Sequence, residues 1–217
     1  MRQSLSGQIV DLHRRRIFPG VVDWAGGRIV RIREDRTVRA KHIIAPGFVD
    51  MHIHFPQTAI IGSPAGGLLP RLERYTFPEE SRFHMDAHGA QVAEFFVDEL
   101  LRNGVTTALA FATSHPQSVD ALMAEAQRRS LRLICGKVLQ DRHSPDGVRD
   151  ATEQSLLDSE DLIRRWHGVD RLGYAITPRF APTSTTEQLR GAGELAARHP
   201  DVWIQSHVAE NLDEVRW

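Results

Sequence analysis

The sequence predicts a parallel β-sheet covered by helices, either an open doubly wound sheet or a barrel, and three observations lead there. Beyond residue 43 the chain carries five near-continuous apolar runs of strand length: "IIAPGFVDMHIH", "GVTTALAFAT", "LRLICGKVLQ", "RLGYAITPRF" and "VWIQSHVAE". Helix-length segments separate them, and strands apolar on both faces that alternate with helices are the pattern of βαβ units. No GxGxxG or P-loop follows any of these strands, which weakens a nucleotide-binding reading of the sheet.

The elements follow in order. Up to residue 43 the runs are short and strand-like, with Gly26-Gly27 as a hairpin signal inside "GVVDWAGGRIVRIRED", so a small β element is expected there. The first long helix is expected over "DAHGAQVAEFFVDELLRNG". There Asp86 supplies an N-cap, Val92, Phe95, Phe96 and Leu100 share a stripe, and Gly104 ends the helix. Segments 117–130, 151–167 and 184–199 read the same way.

Composition narrows the class. With 217 residues, 41% hydrophobic and 25% charged, the chain has the make-up of a soluble globular protein with a sizeable core. A net charge of −1 gives no basic field for nucleic acid and none for a membrane surface; "HRRR" at 13–16 reads as a solvated turn. The one cysteine, Cys135, lies in an apolar run and has no intramolecular partner. That points to a buried thiol in a reducing compartment, and "MRQSLSGQIV" lacks the apolar core of a signal peptide, so the cytoplasm is expected.

The chemistry gathers at the strand C-termini, where parallel α/β folds place their sites. Side chains on a strand alternate between faces, so His52 and His54 in "PGFVDMHIHFPQ" point the same way with Ile53 opposite. Two neutral imidazoles on rigid backbone are suited to a metal, though the pair also reads as two polar residues at a strand end. Gln57 follows the first strand, Thr113 and His115 the second, Thr177, Arg179 and Phe180 the fourth, and His207 and Glu210 the fifth. A third histidine at the same sheet end, with a carboxylate just beyond it, fits a hydrolytic zinc centre. His115 is read as a loop residue, and the histidines at 13, 42, 84, 88, 143, 167 and 199 as non-ligands. By residue type alone, Arg179 reads as a rim salt-bridge partner and Phe180 as a core aromatic.

"PGFVDMHIH" followed by "QSHVAEN" resembles the amidohydrolase superfamily, metal-dependent hydrolases on a (β/α)8 TIM barrel with a small β-sandwich. Within it, "HFPQ" at 54–57, "LLPRLERYTFPEE" at 68–80, "NGVTTALAFAT" at 103–113, "TPRF" at 177–180 and "QSHVAENLDEV" are similar to the guanine deaminases. The resemblance implies a partial β-sandwich over 1–43 and a hydrolase barrel over 44–217. It implies one zinc held by His52, His54 and His207, proton transfer by Glu210, and purine binding by Gln57, Arg179, Phe180 and His207. The implied reaction is hydrolytic deamination of guanine to xanthine and ammonia in purine catabolism or salvage. Arg179 would offer its donor fork to O6 and N7 of the base. A homodimer is implied for the complete protein. The cytidine-deaminase type of zinc site, with its H-x-E and P-C-x-x-C signature, needs two nearby cysteines and is excluded by a single one.

A TIM barrel needs eight strand–helix units, about 250 residues, and five strands are legible here. The family pattern also asks for a histidine from strand six and an aspartate from strand eight. The chain therefore reads as the N-terminal half of such an enzyme, and two alternatives stand beside that reading. One is another amidohydrolase, acting on an aminopurine or a triazine; a binuclear variant with a bridging lysine is disfavoured because Lys137 belongs to strand three. The other is a catalytically inactive truncated fragment.

Overall fold

In a computed structural model of the protein, which describes residues 1–64 and 66–217, the chain forms two compact units, Met1–Phe48 and Val49–Trp217. The first is one sheet of β1 (Arg2–Asp11), β2 (Arg16–Ala25), β3 (Arg28–Glu34) and β4 (Ile43–Ile44), in the order β3-β2-β1-β4. Ala25 pairs with Arg28, so Gly26 and Gly27 alone make the turn, at φ 56° and 73°. Two successive positive φ values are those of a type I′ hairpin, which side chains with a Cβ resist. Ile9, Phe18 and Val22 are buried together in this unit with Ile44 against them. The basic cluster is an exposed turn before β2, and Arg16 is paired with Glu34 at 2.9 Å.

The second unit alternates strand and helix as its apolar runs require. In chain order it comprises β5 (Phe48–His54), α1 (Leu68–Arg71), α2 (Phe77–Ser81), α3 (Asp86–Arg102), β6 (Val105–Phe111), α4 (Pro116–Arg128) and β7 (Arg132–Gly136). It continues through β8 (Val138–Leu139), α5 (Thr152–Trp166), β9 (Leu172–Pro178), α6 (Thr186–Arg198), β10 (Trp203–Ile204) and α7 (Leu212–Arg216). The strands run β10-β9-β7-β6-β5 across the sheet, with β8 on β9. The registers of β6 with β7, β7 with β9 and β9 with β10 are all parallel. One core joins sheet and helices, centred on Phe83, Val97, Leu122, Leu133, Tyr174 and Leu195. Among the described residues no helix is long and apolar enough to cross a membrane.

Four local expectations are corrected. Asp86 is the first helical residue of α3 rather than its cap; Met85 holds the cap position, with no side-chain hydrogen bond. Phe95 leaves the buried stripe and is 55% exposed, while Ala93, Phe96, Val97 and Leu100 carry the contact. The third strand breaks at Lys137, whose backbone N–H donates to the Tyr174 hydroxyl at 3.1 Å instead of to the ladder. The fifth run, expected from 202 to 210, is a strand only over Trp203–Ile204. Past Ile204 the chain turns inward: the Gln205 N–H donates to the Ile176 carbonyl at 3.0 Å, and the His207 N–H to the Arg179 carbonyl at 3.0 Å.

Candidate metal centre and binding cavity

Three histidines from the two edge strands of the sheet meet at its C-terminal end. His52 and His54 share a face of β5, and His207 follows β10 on the segment that bends toward β9. Their ligand atoms all lie within 4.8 Å of one another, and His54 Nε2 stands 3.0 Å from His207 Nε2. His207 Nδ1 lies 2.8 Å from the Arg179 carbonyl oxygen. A carbonyl only accepts, so Nδ1 carries the proton and Nε2 turns its lone pair to the other histidines. That is the tautomer a metal ligand needs, fixed by the hydrogen bond on the far nitrogen.

Burial, then the nearby Arg179 charge, pushes His54 down to about 2. Burial also lowers His207, against the opposing pull of the Arg179 carbonyl. Both imidazoles are therefore neutral around pH 7, the form that ligates. Phe111, at the end of β6, stacks on His54 with centroids 4.8 Å apart and closes the apolar side of the cluster. The donor set fits a borderline-soft divalent cation: three imidazole nitrogens converge within 4.8 Å of one another and border a cavity.

The cluster forms one wall of a cavity of about 130 Å³. Gln57, Arg179, Phe180 and Glu210 line the same cavity, so every site residue expected from the sequence borders one space. Arg179 is 3% exposed and its salt bridge is buried rather than on a rim: its NH1 donates to Glu80 Oε2 at 2.7 Å. Phe180 is both cavity wall and core, packed with Leu72, Phe77 and Val148. Glu210 is exposed on the loop that precedes α7, where its own N–H donates to Glu214 Oε2 at 2.7 Å. His115 caps α4 and stays outside the cluster.

The sequence reading left out Arg71, Leu68 and Leu72, which also border the cavity, and Glu80 behind Arg179. Their signal lay in "LLPRLERYTFPEE", a stretch with no strand register to say which of its side chains point inward. The lone thiol is inert: Cys135 is fully buried and burial pushes it up to about 12.

Comparisons with known proteins agree with this geometry. Guanine deaminase of Escherichia coli is 46% identical over 200 residues, 90% of this chain and 45% of that protein. The solved E. coli guanine deaminase superposes with a TM-score of 0.90 at 39% identity, covering 99% of this chain and 54% of that one. Guanine deaminase from C. acetobutylicum, solved with guanine bound in its active site, superposes with a TM-score of 0.88 at 27% identity, over 99% of this chain and 54% of that one. The chain thus spans about half the length of the relatives it matches, and its parallel strands and helices are those of part of an amidohydrolase-type barrel. The sequence model of the Amidohydrolase family matches residues 43–217, from the strand that closes the small sheet to the last residue, and the chain belongs to that family.

Proposed function

We propose that the protein is a zinc-dependent guanine deaminase, hydrolysing guanine to xanthine and ammonia. The observation that carries this reading is the juxtaposition of a three-histidine cluster with Arg179 and Gln57 in one cavity, a metal site beside a set of planar donors. The relatives named guanine deaminase, one of them holding guanine in its active site, support the same substrate. His52, His54 and His207 would hold the zinc. When bound, such an ion lowers the pKa of a coordinated water from 15.7 to about 7 and so supplies a nucleophile at neutral pH.

The chain's own groups do the rest. Glu210 borders the cavity from an exposed loop and would take a proton and return it to the purine ring and to the departing amine. Arg179 and Gln57 hold the base by its polar edge, and Phe180 offers its ring face as an apolar wall. The buried thiol of Cys135 supports a reducing, cytoplasmic setting for the reaction.

The test is ammonia release from guanine, adenine, cytosine and a triazine, measured on the protein as its gene encodes it and with its zinc content determined. Guanine is expected to be the preferred substrate, and Arg179→Ala is expected to impair guanine turnover while zinc content stays level. Turnover of a triazine in preference to guanine would replace this substrate with the alternative one.

A further inference from the structure

The stretch "LLPRLERYTFPEE" places Arg71 on the border of the cavity and Glu80 behind Arg179, and neither has a role in the chemistry above. Glu80 is fully buried and ties Arg179 through Oε2 at 2.7 Å, while Phe77 lies under the guanidinium with 5.2 Å from Cζ to the ring centroid. The other carboxylate oxygen, Oε1, is buried without a hydrogen-bond partner among the described residues, and burial raises the Glu80 carboxyl against the Arg179 charge and hydrogen bond and, after these, the neighbouring Gln57 amide. Arg71 acts on the other end of the Gln57 amide, its NH1 donating to Gln57 Oε1 at 2.8 Å. The polar ends of Gln57 are thereby assigned. Its oxygen is occupied by Arg71, and its NH2 faces Glu80 and the cavity.

The backbone explains how both residues reach the same place. Arg71 and Glu80 are nine positions apart, about two and a half turns of an α-helix, which would set them on opposite faces. Between them Leu72–Thr76 forms a π turn, closed by the Phe77 N–H on the Leu72 carbonyl. Pro78 follows, and its ring lacks the N–H that an α-helix would give to the Arg74 carbonyl. A π turn takes up one extra residue, about 100° of rotation, and this brings the two side chains to within roughly 80° of a common face.

We infer that Glu80 and Arg71 are positioning residues that make the cavity wall a donor-only edge, selecting a heteroaromatic ligand with two adjacent acceptors and rejecting one with an amino group in that place. Glu80 accepts from Arg179 and faces Gln57, so what these two present to the cavity is N–H. Arg71 removes the one acceptor, the Gln57 oxygen, that could have welcomed an amino group. Resting on the function proposed above, the ligand edge is O6 and N7 of a 6-oxopurine. A 6-aminopurine sets its N6 donor against a donor and leaves both unpaired, a mismatch costing roughly 10- to 100-fold in affinity.

Hypoxanthine and adenine test this directly, because they differ at position 6 and neither carries the 2-amino group that would be hydrolysed. Equilibrium binding of each is measured on the zinc-loaded protein as its gene encodes it, for the wild type, Glu80→Gln and Arg71→Met, with ammonia release from guanine on the same preparations. The wild type is expected to favour hypoxanthine by at least about 10-fold. Both variants are expected to keep their zinc and bring the ratio to within about 3-fold. Arg71 is half-buried, so Arg71→Met decides the matter if the buried Glu80 variant does not fold. An unchanged ratio in folded variants overturns the inference even where guanine is deaminated. A lost preference in a protein that releases no ammonia from guanine upholds the inference and sinks the proposed reaction. A wild type that binds neither purine overturns both.

Discussion

His54 faces His207 across 3.0 Å between Nε2 atoms, and since the His207 Nδ1–H is spent on the Arg179 carbonyl, His54 supplies the proton between them in the metal-free chain. A divalent cation at His54 Nε2 takes the place of that proton, which moves to Nδ1 of the same neutral ring, so the cation selects a tautomer without drawing a proton from a charged imidazole. His52→Ala or His54→Ala is expected to lower zinc content well below the wild type after dialysis, as read by elemental analysis; full occupancy in both would remove these residues from the ligand set. Glu210 belongs to a different class of residue. It is exposed and reaches the cavity without touching the cluster's hydrogen bonds. Glu210→Gln is therefore expected to keep zinc and lower kcat on the order of 10²–10⁴-fold, because an amide cannot relay a proton. Turnover near the wild-type value would take Glu210 out of the reaction.

Among the elements, β7 and β9 control how the site is spaced, because His207, Arg179 and the end of β8 all hang from β9. Gly136 is the contact point: a Cβ there would fall 1.7 Å from the Ala175 carbonyl oxygen and 2.7 Å from Thr177 Oγ1. The first atom is backbone and cannot rotate away, so the strands would have to separate. Gly136→Ala is expected to cost about 3 kcal/mol, at the upper end for an overpacked core, and to lower Tm by roughly 6–12 °C. A Tm within a degree or two of the wild type in thermal melts would show that β9 yields easily.

Across the whole molecule, two features set its behaviour in solution. The sheet ends at β5 on one side and β10 on the other, and at these edges Val49, Met51, Trp203 and Ile204 expose apolar surface. Unpaired parallel edges with apolar side chains favour association. The 217-residue chain expressed alone is expected to elute from size exclusion as an oligomer or aggregate, and a monodisperse monomer would contradict this. The second feature is acid sensitivity. The folded His54 has its pKa at about 2, below its ordinary 6.5, so on acidification the unfolded chain takes up the proton first. Stability from this group is complete above about 6.5 and is lost as pH falls through that window toward about 2. In chelator, the Tm of the chain is expected to fall between pH 7 and 5, and less steeply in His54→Asn; equal slopes would mean that this imidazole is solvated.

The order of strands and helices, the shared face of His52 and His54 and the Gly26-Gly27 turn are all legible in the sequence, because each depends on residues a few positions apart and on the periods of strand and helix. Family motifs extended this to His207, Glu210, Gln57 and Arg179. Other features were decided only by tertiary structure. Arg179 finds Glu80 ninety-nine residues away, His207 finds His54 at a separation of 153, and Gln205 reaches Thr177 and the Ala110 carbonyl across three strands. The rotation that turns Arg71 and Glu80 to one side comes from a π turn, which alters phase without altering composition. Local periodicity tells which face a side chain takes on its own element. The meeting of two faces is set by sheet register and helix phase, which the packed core fixes once the whole chain is folded.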